Sequence, residues 1–180
     1  MTIAFYTNFI NHHQAYVADE LYRLTGGNYT LVEMCQIYDW LLNSGYADLS
    51  SRPYVLQAWK SKENYQKAVE LAQSADVVMF GCPETLEMGV LHAKTGKITF
   101  NVGERWLKRG VINLASPNLL KWLWKYITVL SHNNVYALCA SAYGSVDYHM
   151  MHCFKDKCFK WGYFTQVADM YSHVAGGANA

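Results

Sequence analysis

No G-x-G-x-x-G, G-x-x-x-x-G-K-[ST] or G-x-S-x-G occurs in the chain, which removes the ordinary dinucleotide, P-loop and serine-hydrolase readings. No apolar run reaches the length of a membrane-crossing helix, because Lys, Asn or Gly interrupts each within about ten residues. Charge is scarce and balanced: 15 Lys and Arg against 14 Asp and Glu leave a formal charge of +1. Such a chain offers no long-range attraction to a polyanion, so no nucleic-acid partner is expected. Neither an internal repeat nor a low-complexity segment is present. Met1 leads straight into an apolar run without a basic n-region or cleavage site, so no leader is expected. The five cysteines are an odd number. Cys35, Cys82 and Cys139 lie in apolar strand-like runs, where a reduced thiol behaves as a small hydrophobe. A cytoplasmic protein free of structural disulfides is expected.

What the chain does have is apolar and aromatic content. Hydrophobic residues make up 52% of 180 and aromatics 15%, with 14 Tyr and 6 Trp. That suits one domain with a real core. The aromatic surplus is compatible with buried rings and with a sugar-, base- or lipid-facing surface.

Apolar strand runs alternate with helical patterns from end to end. Thr2–Phe5 leads into Tyr6-Thr7-Asn8 and then Phe9-Ile10-Asn11-His12-His13-Gln14. Asn11 is placed as an N-cap, Gln14 falls where a capping box puts its partner, and Gly26-Gly27 supplies a stop. Strands are expected at Tyr29–Met34, Ala75–Cys82, Ile98–Val102, Val135–Ala140 and Cys158–Phe164. Helices are expected at Lys60–Gln73, Glu84–Thr95, Pro117–Leu130 and Gly144–Phe154, with a helix-like Glu104–Arg109. Residues 37–58 read as a polar and aromatic connection. This rhythm predicts an α/β, Rossmann-like parallel sheet of about six strands with helices on both faces. The domain would span 1–167, and 168–180 would be a flexible tail or truncated interdomain linker.

Four segments in this order carry a resemblance: Tyr6 through Gln14, Ala75-Asp76-Val77-Val78, Gly103-Glu104-Arg105-Trp106-Leu107-Lys108-Arg109-Gly110, and Lys160-Trp161-Gly162-Tyr163-Phe164. Together they resemble the N-terminal domain of bacterial GT-B-fold glycosyltransferases of the retaining, nucleotide-sugar-dependent group, over roughly residues 2–167. In that family the N-terminal domain binds the acceptor and a C-terminal domain binds the nucleotide-sugar donor. The family's donor signature, two glutamates with seven residues between them, does not occur here. The resemblance therefore implies the acceptor-binding half, with the nucleotide sugar bound by a separate C-terminal donor-binding domain. A saccharide or lipid-linked saccharide hydroxyl would be the acceptor. A non-catalytic binding module and a subunit of a split glycosyltransferase stand as alternatives.

Candidate residues follow from loop position. His12 and His13 open a helix after the first strand, where an imidazole can accept a hydroxyl proton or bind an anion. The competing role is a cap and an exposed ring. Asn8 and Asn11 support them. In Glu104-Arg105-Trp106-Leu107-Lys108-Arg109 the cations could neutralise phosphate, Glu104 could bind hydroxyls and Trp106 could stack on a sugar, or the run could be a solvated turn. Ser141 and Tyr143 follow the fifth strand at a helix start. Leu119–Tyr126 carries Trp and Lys in a pattern that fits either a membrane interface or packing on the sheet, and peripheral contact with the inner face of a membrane is one expectation. His149, His152, Cys153 and Cys158 are poorly spaced for zinc, and no metal is expected.

Overall fold

The computed structural model describes residues 1–108 and 110–164. Expectations for Arg109 and for the tail 168–180 lie outside the described residues.

The described chain builds one all-parallel sheet in the order β3-β2-β1-β4-β5-β6-β7. Its strands are β1 (Ile3–Thr7), β2 (Tyr29–Glu33), β3 (Val55–Gln57), β4 (Val77–Phe80), β5 (Ile98–Gly103), β6 (Val135–Cys139) and β7 (Cys158–Lys160). The helices are α1 (His12–Leu24), α2 (Asp39–Asn43), α3 (Lys62–Ser74), α4 (Leu86–Ala93), α5 (Pro117–Lys125) and α6 (Gly144–Met150). The α/β Rossmann-like class stands, with seven strands where six were expected. The additional strand, Val55–Gln57, hides in the aromatic connection. It is three residues long, half-buried, and pairs only with β2.

β1 sits at the centre, paired with β2 on one side and β4 on the other, so all five of its residues are buried. Its alternation divides the core. Ile3 and Phe5 join Ala15 and Ala18 of α1, with Tyr29, Leu31, Tyr54 and Met79. Ala4 and Tyr6 face Ala68 and Ala72 of α3, the inner side of α4, and Tyr126, Tyr148 and Phe154. Helices thus lie on both faces. Over β5–β7, however, the α1 face has no helix among the described residues. There the rings of Phe100, Tyr136 and Phe159 form a ladder with 6.0 Å between successive centroids, and Phe159 is exposed.

Local differences have local causes. Asn11 does cap α1, accepting from the His13 N–H at 3.0 Å. Gln14 does not complete a capping box; its Nε2 donates instead to Thr7 Oγ1 at 3.1 Å. The helix expected over Pro117–Leu130 is α5 followed by a π-helical turn, Tyr126–Leu130. Glu104–Lys108 is loop, because Asp147 takes the Leu107 N–H that a helix would have used.

α4 lies so close to β4 that Gly89 touches the Phe80 ring: a Cβ there would stand 2.5 Å from Phe80 Cδ1. Gly89→Ala is expected to destabilise the protein by about 1–3 kcal/mol through overpacking, despite the better helix propensity of alanine. Urea unfolding midpoints of the two proteins test this.

Candidate functional site

The strand order reverses direction on either side of β1: the chain first moves outward to β2 and β3, then returns to β4. Loops leaving the carboxyl ends of β1 and β4 therefore diverge, and in open α/β sheets ligands bind in that crevice. A cavity of about 380 Å³ lies there. Thr7, Asn8, Asn11, His13 and Gln14 come from the β1–α1 connection, and Gly81, Cys82 and Pro83 from the end of β4. Glu104 follows β5, Ala140 follows β6, and Trp161–Phe164 follow β7.

Two buried carboxylates hold the loops. Glu33 ends β2, is 3% exposed, and accepts the Ile10 N–H at 3.0 Å and Gln57 Nε2 at 3.3 Å. It fixes the backbone entering α1. Burial pushes its carboxyl above the ordinary glutamate value, against the hydrogen bonds that favour the anion. Asp147 in α6 is 1% exposed and accepts the Leu107 N–H at 2.8 Å and Arg105 Nε at 3.2 Å. It fixes the loop after β5.

His13 and Gln14 line the cavity, and His13 Nδ1 and Gln14 Oε1 are buried with no hydrogen-bond partner among the described residues. Such orphaned atoms are costly and point to a hydrogen-bonding ligand or water. Burial, with the neighbouring His12 imidazole, lowers the His13 pKa and favours the neutral ring. The two rings lie 3.8 Å apart. Glu104 is held below the ordinary glutamate range by Lys108 and by the Tyr163 hydroxyl, and so is a carboxylate. That bond and burial push Tyr163 up to about 12. Cys82 is also pushed to about 12, first by burial and then by Glu84, so it is a thiol and a poor nucleophile at neutral pH.

Of the residues expected from sequence, the structure gathers Asn8, Asn11, His13 and Glu104 around the cavity. His12 lies outside the lining, its ring tilted by 46° against that of His13 and edge-on to Tyr46 at 5.2 Å. Arg105 pairs with Asp147 and lies 5.0 Å over the Tyr143 ring. Ser141 Oγ accepts from the Tyr143 N–H, and neither residue reaches the cavity lining. Trp106 lines a second, smaller cavity next to the first. Sequence reasoning missed Gln14 on the cavity wall, having assigned it to a cap. It also missed Glu33 and Asp147, whose roles depend on long-range contacts.

No Lys or Arg contributes to the cavity lining among the described residues; the polar lining is amide, imidazole, hydroxyl and one carboxylate. This set mixes donors and acceptors, and the Asn8 and Asn11 Oδ1 atoms already accept the Phe9 and His13 N–H groups. Among the described residues no group of three or more His, Cys, Asp or Glu side chains is arranged to hold a metal ion. No helix of the described residues is long and apolar enough to cross a membrane. No family model and no curated protein matches the chain.

Removing the Asp147 carboxylate leaves the Leu107 N–H and Arg105 unpaired. Asp147→Ala is expected to cost about 1–3 kcal/mol and to speed tryptic cleavage at Arg105 and Lys108, both followed by limited proteolysis. Glu33 has its folded-state pKa raised. Its contribution is therefore full below the ordinary glutamate value and is lost as pH rises through the folded value. Relative to Glu33→Gln, wild-type stability should fall as pH rises across that window, measured by denaturant unfolding at a series of pH values.

Proposed function

We propose that this chain is the acceptor-binding half of a glycosyltransferase that moves a sugar from a nucleotide-sugar donor to a hydroxyl of a saccharide or lipid-linked saccharide. The observation that carries the reading is the cavity at the strand reversal, lined by His13, Gln14 and Glu104 with no Lys or Arg among the described lining residues, and with His13 Nδ1 and Gln14 Oε1 left without a hydrogen-bond partner. A saccharide presents hydroxyls that donate to Gln14 and Glu104 and can serve His13 in either tautomer. A neutral His13 can also accept the proton of an attacking hydroxyl, with the His12 ring packed against it at 3.8 Å between centroids. Asn8 and Asn11 extend the polar wall, while Arg105 and Tyr143 brace the loop that carries Glu104. Trp161 and Tyr163 add aromatic surface of the kind that covers sugar faces.

The nucleotide sugar belongs, on this reading, to a separate donor-binding domain or subunit. One observation favours a second body: the aromatic face over β5–β7 carries no helix among the described residues, whereas parallel sheets are ordinarily covered on both faces. A subunit of a split enzyme fits the same observation.

Isothermal titration of the chain with a panel of saccharides, and separately with nucleotide sugars, tests the assignment. Saccharide binding is expected, with His13→Ala raising Kd roughly three- to tenfold for one lost hydrogen bond. Nucleotide-sugar binding with no saccharide binding would overturn it.

A further inference from the structure

The second cavity, of about 200 Å³, differs in character from the first. Its walls are Leu86 at the start of α4, Trp106 from the loop after β5, Leu119 and Trp122 of α5, and Tyr126. The Tyr126 hydroxyl accepts from Asn101 Nδ2 at 3.1 Å, and Asn101 in turn accepts from Tyr148 at 2.5 Å. The one side-chain hydroxyl in this slot is thus engaged with the core. The other walls, Leu86, Trp106, Leu119 and Trp122, are aliphatic or aromatic, a surface on which a hydrocarbon chain is favoured.

Gly81, Cys82 and Pro83 line both cavities and form the seam between them. Gly81 can occupy that seam only without a side chain, since a Cβ would stand 2.8 Å from the Val102 carbonyl oxygen. On the outer side of α5, Leu120 and Trp124 are exposed, and so are Val111 and Ile112 in the 3-10 turn before it. The polar cavity and the apolar slot therefore adjoin at the Gly81–Pro83 seam. A ligand that meets both has a hydroxylated head and a hydrocarbon tail.

Resting on the acceptor reading, we propose that the slot between Leu86, Trp106, Leu119 and Trp122 holds the hydrocarbon chain of an amphiphilic acceptor whose saccharide head occupies the larger cavity. The natural acceptor is then lipid-linked, and free saccharides bind through the head alone. α5 has no buried residue, so its slot-facing side can be changed without dismantling the core.

The test uses n-alkyl glucosides from hexyl to decyl below their micellar concentrations, titrated into the full chain with tryptophan fluorescence and calorimetry as readouts. Affinity is expected to rise roughly fourfold per added methylene until the slot is full, then level off. Leu119→Trp, which fills the slot, and Leu119→Asp, which charges it, should both flatten the series. His13→Ala should weaken every member by a similar factor and leave the slope intact. A flat series in the wild type overturns the slot, even if free saccharide binds. A slope that survives in both Leu119 variants places the chain elsewhere and also overturns it. If n-alkanols show the same slope and affinities, and His13→Ala changes nothing, the slot stands while the saccharide-head reading fails.

Discussion

Because every crossover in a parallel sheet must travel over one face, the direction in which the chain leaves β1 decides where an opening can form. Here the chain goes first to β2 and β3 on one side and afterwards to β4 through β7 on the other. The hydrogen-bonded pairing of β1 with both β2 and β4 forces the two connections apart and leaves nothing between them but side chains. The larger cavity occupies that gap. The strand itself reads as an unbroken apolar run because it has neighbours on all four sides.

A gap between loops is useful only if the loops are stiff. Glu33 and Asp147 do this from opposite ends of the crevice, each spending a buried carboxylate on a backbone N–H of the loop beside it. His92 plays a comparable part away from the site. It is fully buried, with Nδ1 2.9 Å from the Ala72 carbonyl and Nε2 3.2 Å from that of Ile98, so it ties the end of α3 to the start of β5. Desolvation lowers its pKa, and a neutral ring donates to only one of the two oxygens at a time.

Much of the scaffold was legible from period and punctuation. The fully buried strands announce themselves as apolar runs, and α1 carries its cap, Asn11, in place; the start of α3 was read two residues early, at Lys60, where Ser61 caps the helix. β3 was not legible, since three half-buried residues give too little pattern to separate a strand from a loop. Nor was the loop character of 104–108, where local helix propensity loses to a partner 40 residues away. The candidate site was read in part. Asn8, Asn11, His13 and Glu104 were found because they follow strands directly. Arg105 looked like a ligand group in a run of charges, but a buried Asp147 satisfies it. Gln14 shows the opposite error: its position suited a cap, and only the Thr7 hydroxyl taking its amide nitrogen reveals that its oxygen is left over. Pairings of this kind belong to three dimensions and leave no mark on spacing.

Trp161 gives its N–H to the Cys139 carbonyl at 2.9 Å, and Phe164 gives its own to the His13 carbonyl at 3.4 Å. The strand leaving the sheet is therefore fastened to the first turn of the helix that opens the crevice. The far edge of the sheet and the mouth of the cavity are thereby tied together, and the backbone that carries His13 is anchored from both ends of the chain order.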